Sequence, residues 1–263
     1  MTINRFRDRA EAGQLLAVQL SAYEGRPDVL VLGLPRGGVP VAYEVAKALH
    51  VPLDVLIVRK LGVPGQEELA MGAIASGGVR VLNNDVVQLL GVPDGVIEMV
   101  ADREQQELER RERLYRGDRS IYEIRGRSII LIDDGIATGA TMHAAVAVLR
   151  QQQPARVIIA VPVAASSTCE EFAAEVDEFV CIRRPEAFYA VGFWYENFSP
   201  TTDEEVRALL EQSAQEQSTT PQKRRRNTAA GNEKRASTTM STQRKSQPSH
   251  KSSSTIRTIR LSK

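Results

Sequence analysis

Cysteine is scarce in this chain, with only Cys169 and Cys181 among 263 residues. The pair shows no metal-ligand spacing and no obvious catalytic base, so both read as packing residues of a reducing compartment. Histidine is also rare, at three. His50 and His250 belong to no pattern, and His143 reads as a packing or surface residue. No run is long and apolar enough to span a membrane, and Met1-Thr-Ile-Asn-Arg-Phe-Arg-Asp8 lacks a secretory hydrophobic core. A cytoplasmic location without membrane contact is expected. A Gly-x-x-x-x-Gly-Lys-Ser/Thr loop is missing everywhere, which excludes a Walker-type nucleotide hydrolase. A phosphate-ester hydrolase is disfavoured for want of a recognisable nucleophile.

Charge is present in both signs but unevenly placed. Residues 211–263 hold 12 Lys/Arg against 3 Asp/Glu, which leaves 22 against 30 for residues 1–210. A formal net charge of +1 therefore hides a core near −8 and a tail near +9. Ser, Thr, Gln, Lys and Arg dominate the tail, and too few large apolar residues remain to offset the entropy of ordering it. Residues 211–263 are expected to be disordered, with Lys223-Arg-Arg-Arg226 suited at most to weak, nonspecific contact with nucleic acid or another anionic surface. Residues 1–210 are long enough for one full core.

Within 1–210 short apolar strands alternate with helices, which predicts a central parallel sheet flanked by helices. The expected order is a helix near 7–23, strand 29–34, helix 39–49 and strand 53–58. A hairpin about Ser76-Gly-Gly78 joins 70–75 to 79–82. A helical insertion follows at about 83–117: a short helix over Asn84–Leu90 stopped by Gly91, then a long charged helix capped by Asp94 and ending near Gly117. Covering the active site and contacting a second copy in a homodimer are two roles open to the long helix. Strands at 128–132, 156–161 and 178–182, helices after 142 and at 167–175, and a last helix from Thr202 or Asp203 complete the pattern.

Chemistry concentrates where strands end. Ser128-Ile-Ile-Leu-Ile132 is a buried-strand run, and Asp133-Asp134 stands at its carboxyl end, the edge where α/β proteins bind ligands. One Asp would suffice to cap the next helix, whereas a second would be left at a buried edge. Ala137-Thr-Gly-Ala-Thr141 then offers small side chains, hydroxyls and backbone amides at a helix start, an anion site. A second strand-glycine loop-helix unit holds Pro35-Arg-Gly-Gly38, where adjacent glycines admit an anion closely and Arg36 adds a permanent charge. The strand at 53–58 delivers Arg59-Lys60 to the same edge, and Leu61-Gly-Val-Pro-Gly-Gln-Glu-Glu68 reads as a mobile loop that could close over a ligand.

Leu131-Ile-Asp-Asp-Gly-Ile-Ala-Thr-Gly-Ala-Thr141 resembles the phosphoribosyl pyrophosphate (PRPP) motif of type I phosphoribosyltransferases. Together with Gly33-Leu-Pro-Arg-Gly-Gly-Val-Pro40 it is most similar to uncharacterised phosphoribosyltransferase-domain proteins, over about Phe6 to Leu210. The resemblance implies that Asp133 and Asp134 bind the 2′- and 3′-hydroxyls of PRPP, and that Ala137, Thr138, Gly139, Ala140 and Thr141 bind its 5′-phosphate. Pro35, Arg36, Gly37 and Gly38, with Arg59 and Lys60, would take the pyrophosphate, with a cis Pro35–Arg36 peptide. Asp133, Asp134, Arg36 and Lys60 are the implied catalytic set. Mg²⁺ would be carried mostly by PRPP and water, with Asp133 and Asp134 as the candidate protein contacts.

In this family an aromatic side chain in a hood outside the sheet stacks on the acceptor base. Pro185-Glu-Ala-Phe-Tyr-Ala-Val-Gly-Phe-Trp-Tyr-Glu-Asn-Phe198 holds six of the chain's few aromatics, and Phe188 and Tyr189 are the stacking candidates. The same cluster would equally serve to close the core edge. Ala137 stands where hypoxanthine-guanine enzymes carry an Asp, and their base-contacting Lys is not apparent in Ala160-Val-Pro-Val-Ala-Ala165. The resemblance thus implies transfer of a phosphoribosyl group to a small nitrogenous acceptor with release of pyrophosphate, and leaves the acceptor open. The alternative is a non-catalytic PRPP or nucleotide sensor.

Overall fold

A computed structural model describes residues 4–117 and 119–219, leaving aside the side chains of Glu68 and Thr219. The basic run Lys223–Arg226 and the rest of 220–263 lie outside the described residues. Helix α1 (Arg9–Gln19) leads through a 3₁₀ turn to β1 (Val29–Gly33), α2 (Gly38–Leu49) and β2 (Leu53–Val55). Three strands follow, β3 (Val58–Val63), β4 (Gln66–Ala75) and β5 (Val79–Leu82), then helices α3 (Asn84–Leu90) and α4 (Asp94–Arg116). The chain continues through β6 (Ser128–Ile132), α5 (Ala140–Gln151), β7 (Arg156–Val163), α6 (Ser166–Glu175) and β8 (Glu178–Arg183) to α7 (Asp203–Thr219).

The main sheet runs β2-β1-β6-β7-β8, with every neighbouring pair parallel. Its central strands explain themselves: Val29–Gly33 and Ser128–Ile132 are buried at every position, as a sheet covered on both faces requires. Helices α1 and α2 pack against each other on one face, where Leu16, Leu20, Val41 and Val45 join Val29, Val31 and Ile130 in one core. On the other face Ala145, Val148, Leu149 and Phe172 meet Leu30, Ile129 and Leu131. From β1 the chain steps outward to β2, whereas from β6 it steps the other way to β7. The carboxyl ends of β1 and β6 therefore flank the topological switch point, where a crevice forms.

Two local expectations are corrected. The strand expected over 53–58 ends at Val55, and Val58 opens a separate antiparallel sheet, β3-β4-β5. The apolar run shows no breaker because both sheets demand the same side chains. The loop expected over 61–68 is a β-hairpin: Pro64-Gly65 turns it, with Gly65 at φ +80, and the register shifts around Gly62. A Cβ on Gly62 would lie 2.6 Å from the Glu67 carbonyl oxygen, so glycine at that position permits the bulge.

The long helix is capped by Pro93, with Asp94 as its first residue, where its charge still favours the helix dipole. Ile97, Val100, Ala101, Leu108 and Tyr115 form its buried stripe, which packs on β3, β4 and α7. Arg116 near its end is buried with Asp54 of β2: its Nε donates at 3.0 and 3.2 Å, and its Nη2 donates to the Val55 carbonyl at 2.5 Å. A buried pair of this kind fixes where the helix lies rather than adding much net stability. Helix α7 buries Val206 and Leu210 and runs on to Thr219.

Candidate active site

Strands β1 and β6 are neighbours, so the loops that leave them touch. Leu34 N–H donates to the Ile132 carbonyl at 2.9 Å, carrying the pairing one step past the strands. Beyond it Gly37 and Gly38 press on Asp133 and Asp134. A Cβ on Gly37 would overlap Asp134 Oδ2, and one on Gly38 would fall 2.8 Å from Asp133 Cα. The Pro35–Arg36 peptide is cis.

Asp133 and Asp134 stand on the switch-point edge. The Asp134 backbone N–H donates to Asp133 Oδ1 at 2.8 Å. Burial, and then the adjacent Asp134 charge, pushes the Asp133 carboxyl well above the usual carboxylate range. Burial also raises Asp134, opposed by Arg9 of α1, whose Nη2 and Nε lie 2.8 and 2.9 Å from Asp134 Oδ2. Tyr195 donates its hydroxyl to the Asp134 carbonyl at 2.6 Å, and burial raises that phenol. Two acids held this way form a compact acceptor of hydroxyl protons, made costly by burial and so suited to a ligand that supplies donors or a cation.

Next to the acids the chain is open. Ala137, Thr138, Ala140 and Thr141 are exposed, and Gly139 at φ +74 turns the loop into α5 without a side-chain cap. Gly139 packs against Phe172, 2.8 Å from its would-be Cβ, so the turn has no room for a side chain. Helix α2 also starts uncapped by any side chain, after Gly37. Two helix N-termini thus point their partial positive ends at the crevice, one beside each glycine loop. His143, one turn into α5, is a packing residue, stacked on Phe172 and bonded to Glu171 and Glu175 of α6.

The expected cations are placed unequally. Arg36 is half-exposed, 3.8 Å from Asp203 in the first turn of α7, and Tyr115 donates to the same carboxylate at 2.5 Å. Arg59 donates its Nε to Glu104 of α4 at 2.8 Å, so this guanidinium is already paired. Lys60 is half-buried on β3. Of the aromatic candidates, Phe188 packs on the cluster of Phe6, Val163 and Tyr195, while Tyr189 is 82% exposed with its ring edge-on to Phe193. The aromatic segment reaches the acids all the same, through the Tyr195 hydroxyl bonded to the Asp134 carbonyl. No local pattern marks Arg9, whose partner lies 125 residues away. Tyr195 stands out in the sequence only as one aromatic among six.

A family model of the phosphoribosyl transferase domain matches residues 3–192. The chain belongs to the phosphoribosyltransferase family. It is 49% identical over 208 residues to the Mycobacterium tuberculosis proteins named "Putative phosphoribosyl transferase MT0597" and "Putative phosphoribosyl transferase Rv0571c", a match covering 79% of this chain and 47% of each of theirs. The chain thus spans about half the length of the curated relatives it matches. The crystal structure of TT1426 from Thermus thermophilus is 44% identical, with a TM-score of 0.72, over 79% of this chain and 98% of that one. The phosphoribosyltransferase fold accounts for the parallel sheet, its flanking helices and the crevice between β1 and β6.

Proposed function

We propose that this phosphoribosyltransferase-family chain binds Mg²⁺-PRPP at the β1/β6 crevice and transfers its phosphoribosyl group to a small nitrogenous acceptor, releasing pyrophosphate. The observation that carries the reading is the contact of the Gly37-Gly38 loop with Asp133-Asp134, beside the open start of α5. Only a ligand with an anion at each end and hydroxyls between them uses all three features. In this reading the loop Ala137–Thr141 holds the 5′-phosphate, Asp133 and Asp134 take the vicinal hydroxyls, and Pro35–Gly38 with Lys60 takes the pyrophosphate. Arg59, the other expected cation, is paired with Glu104 and would have to leave that pair to join them.

Positioning and charge stabilisation would supply the catalysis: the ribosyl carbon becomes cationic as pyrophosphate departs, and Arg36 and Lys60 offset the charge on the leaving group. Among the described residues no group of three or more His, Cys, Asp or Glu is placed to hold a metal ion. Two carboxylates and a substrate pyrophosphate nevertheless form a fitting hard-oxygen set for Mg²⁺, with Asp133 and Asp134 as the protein's share. Phe188 and Tyr189 flank the acceptor side in this proposal, and the aromatic segment must shift for Phe188 to stack. Nucleotide metabolism in the cytoplasm is the setting such a reaction implies.

The test is pyrophosphate release from Mg²⁺-PRPP across a panel of nitrogenous bases. Turnover with at least one base is expected. Magnesium-dependent PRPP binding without turnover on any base would replace the enzyme by a sensor, a reading to which the Arg59–Glu104 pair gives some support because it neutralises one expected pyrophosphate contact.

A further inference from the structure

Arg9 connects three things that the chain order keeps apart. Its Nη2 and Nε both reach Asp134 Oδ2, at 2.8 and 2.9 Å. Its Nη1 donates to the Ser199 carbonyl at 2.8 Å. The face of its guanidinium lies 4.0 Å from the centre of the Phe198 ring. The side chain is 12% exposed and that of Asp134 is 14% exposed, so the pair is largely shielded from water. One cation thus ties α1, the acid after β6 and the segment that follows the aromatic run.

The consequence lies in which oxygens remain. Asp133 Oδ1 is taken by the Asp134 backbone N–H and Asp134 Oδ2 by Arg9. Neither bond uses Asp133 Oδ2 or Asp134 Oδ1. These two oxygens, one on each acid, match in number the two vicinal hydroxyls of a ribose.

We infer that Arg9 is a positioning residue that commits Oδ2 of Asp134 and thereby presents Oδ1 to a ribose hydroxyl, with the Phe198 face and the Ser199 carbonyl holding the guanidinium in place. The inference rests on the donor-site reading above. Arg9 does not touch the sugar. Its effect passes through the orientation of one carboxylate, and a Lys could restore the charge but not the directed Nε donation of a planar guanidinium. The groups facing Asp134 are Asp133 beside it, Arg9 from α1 and Tyr195 from the aromatic segment.

The test measures, by calorimetry on the full chain, affinity for ribose 5-phosphate and for its 2-deoxy and 3-deoxy analogues, in the wild type, Arg9→Ala, Arg9→Lys and Phe198→Leu. The wild type should favour ribose 5-phosphate by about tenfold or more over the analogue that lacks the hydroxyl served by Asp134, the scale of one hydrogen bond to a charged group. In Arg9→Ala that ratio should fall to within about threefold while the analogue lacking that hydroxyl binds nearly as before, because the phosphate loop is untouched; the other deoxy analogue, which keeps it, should weaken with ribose 5-phosphate. Arg9→Lys should lie between, and Phe198→Leu should shift the ratio in the same direction by less. If Arg9→Ala does not fold, the other two variants carry the comparison. Retention of the wild-type ratio in the folded variants, or equal weakening of all three ligands, would overturn the role of Arg9 and leave the donor site standing. A wild type that binds neither PRPP nor ribose 5-phosphate would remove the donor site and the role of Arg9 together.

Discussion

The Cβ that Gly37 lacks would overlap Oδ2 of Asp134, so the backbone of the loop after β1 and a carboxylate of the acid pair share one space. No rotation of a flexible side chain relieves this, because the same oxygen is held by Arg9. Gly37→Ala should therefore displace Asp134 or the loop, lowering PRPP affinity by about tenfold or more and stability by about 1–3 kcal/mol, as overpacking does. Titration calorimetry and a urea melt on the same preparation would check both. Unchanged PRPP affinity would mean that the two loops separate at little cost.

The acid pair should be a liability to the unliganded fold. Burial and the Asp134 charge raise the Asp133 carboxyl above its ordinary value of 3.8, so the folded state binds a proton that the unfolded chain releases. The stabilisation from that proton is fully present below the ordinary value and is lost as pH rises through the raised one. Asp133→Asn should be more stable than the wild type at neutral pH, on the order of 1–2 kcal/mol, with the gap closing as pH falls toward 4. Thermal melts against pH in magnesium-free buffer would show it, and the same variant should lose PRPP binding. Equal stability at all pH values would contradict the buried geometry.

Tyr195 offers a narrower probe. Its hydroxyl is bonded to the Asp134 carbonyl, and Tyr195→Phe would leave that acceptor without its donor. A loss of about 1–2 kcal/mol in a denaturant melt is expected. PRPP affinity should weaken by less than in the acid variants, because the carboxylates keep their other bonds.

Away from the site, Arg116→Met would strand the buried Asp54 carboxylate. A cost of about 3–5 kcal/mol is expected, and the double variant with Asp54→Leu should recover most of it. Urea unfolding of the two variants and the wild type decides between that outcome and a pair stabilising in its own right, for which the double variant would remain as damaged as the single.

The basic segment can be separated from the chemistry by cutting after Thr219. Removal of 220–263 should leave PRPP binding and pyrophosphate release unchanged while lowering retention on heparin at low salt. Equal retention would assign the anion contact to the remaining chain.

Much of this architecture could be read in the residues, and the exceptions share a cause. Ser128–Ile132 and Val29–Gly33 announce themselves because a doubly covered strand needs an unbroken apolar run, and the acids and glycines at their ends follow from the edge they occupy. Gly91 and Gly117 stop α3 and α4 because each caps a helix end at positive φ. The switch of sheets between Val55 and Val58 was hidden because both sides ask for the same apolar side chains. Leu61–Glu68 read as a loop because Gly62 and Gly65 serve equally a loop and a bulged hairpin. The pairings of Arg9 with Asp134 and of Arg59 with Glu104 depend on contacts across 125 and 45 residues, and no local pattern encodes a partner that distant. In each case the site's residue types were visible and their commitments to one another were not.

The start of the described chain is sewn to the aromatic segment. Phe6 is fully buried, its N–H donates to the Trp194 carbonyl at 2.9 Å, and its own carbonyl accepts from Glu196 N–H at 2.8 Å. Clipping the chain just past Arg9 would spare every strand and still unfasten the aromatic segment, taking with it the cation that holds Asp134. For anyone purifying the protein, the affinity handle belongs at the far end of the molecule, and a protease that nicks ahead of the first helix would leave the sheet standing with its aromatic flank untied.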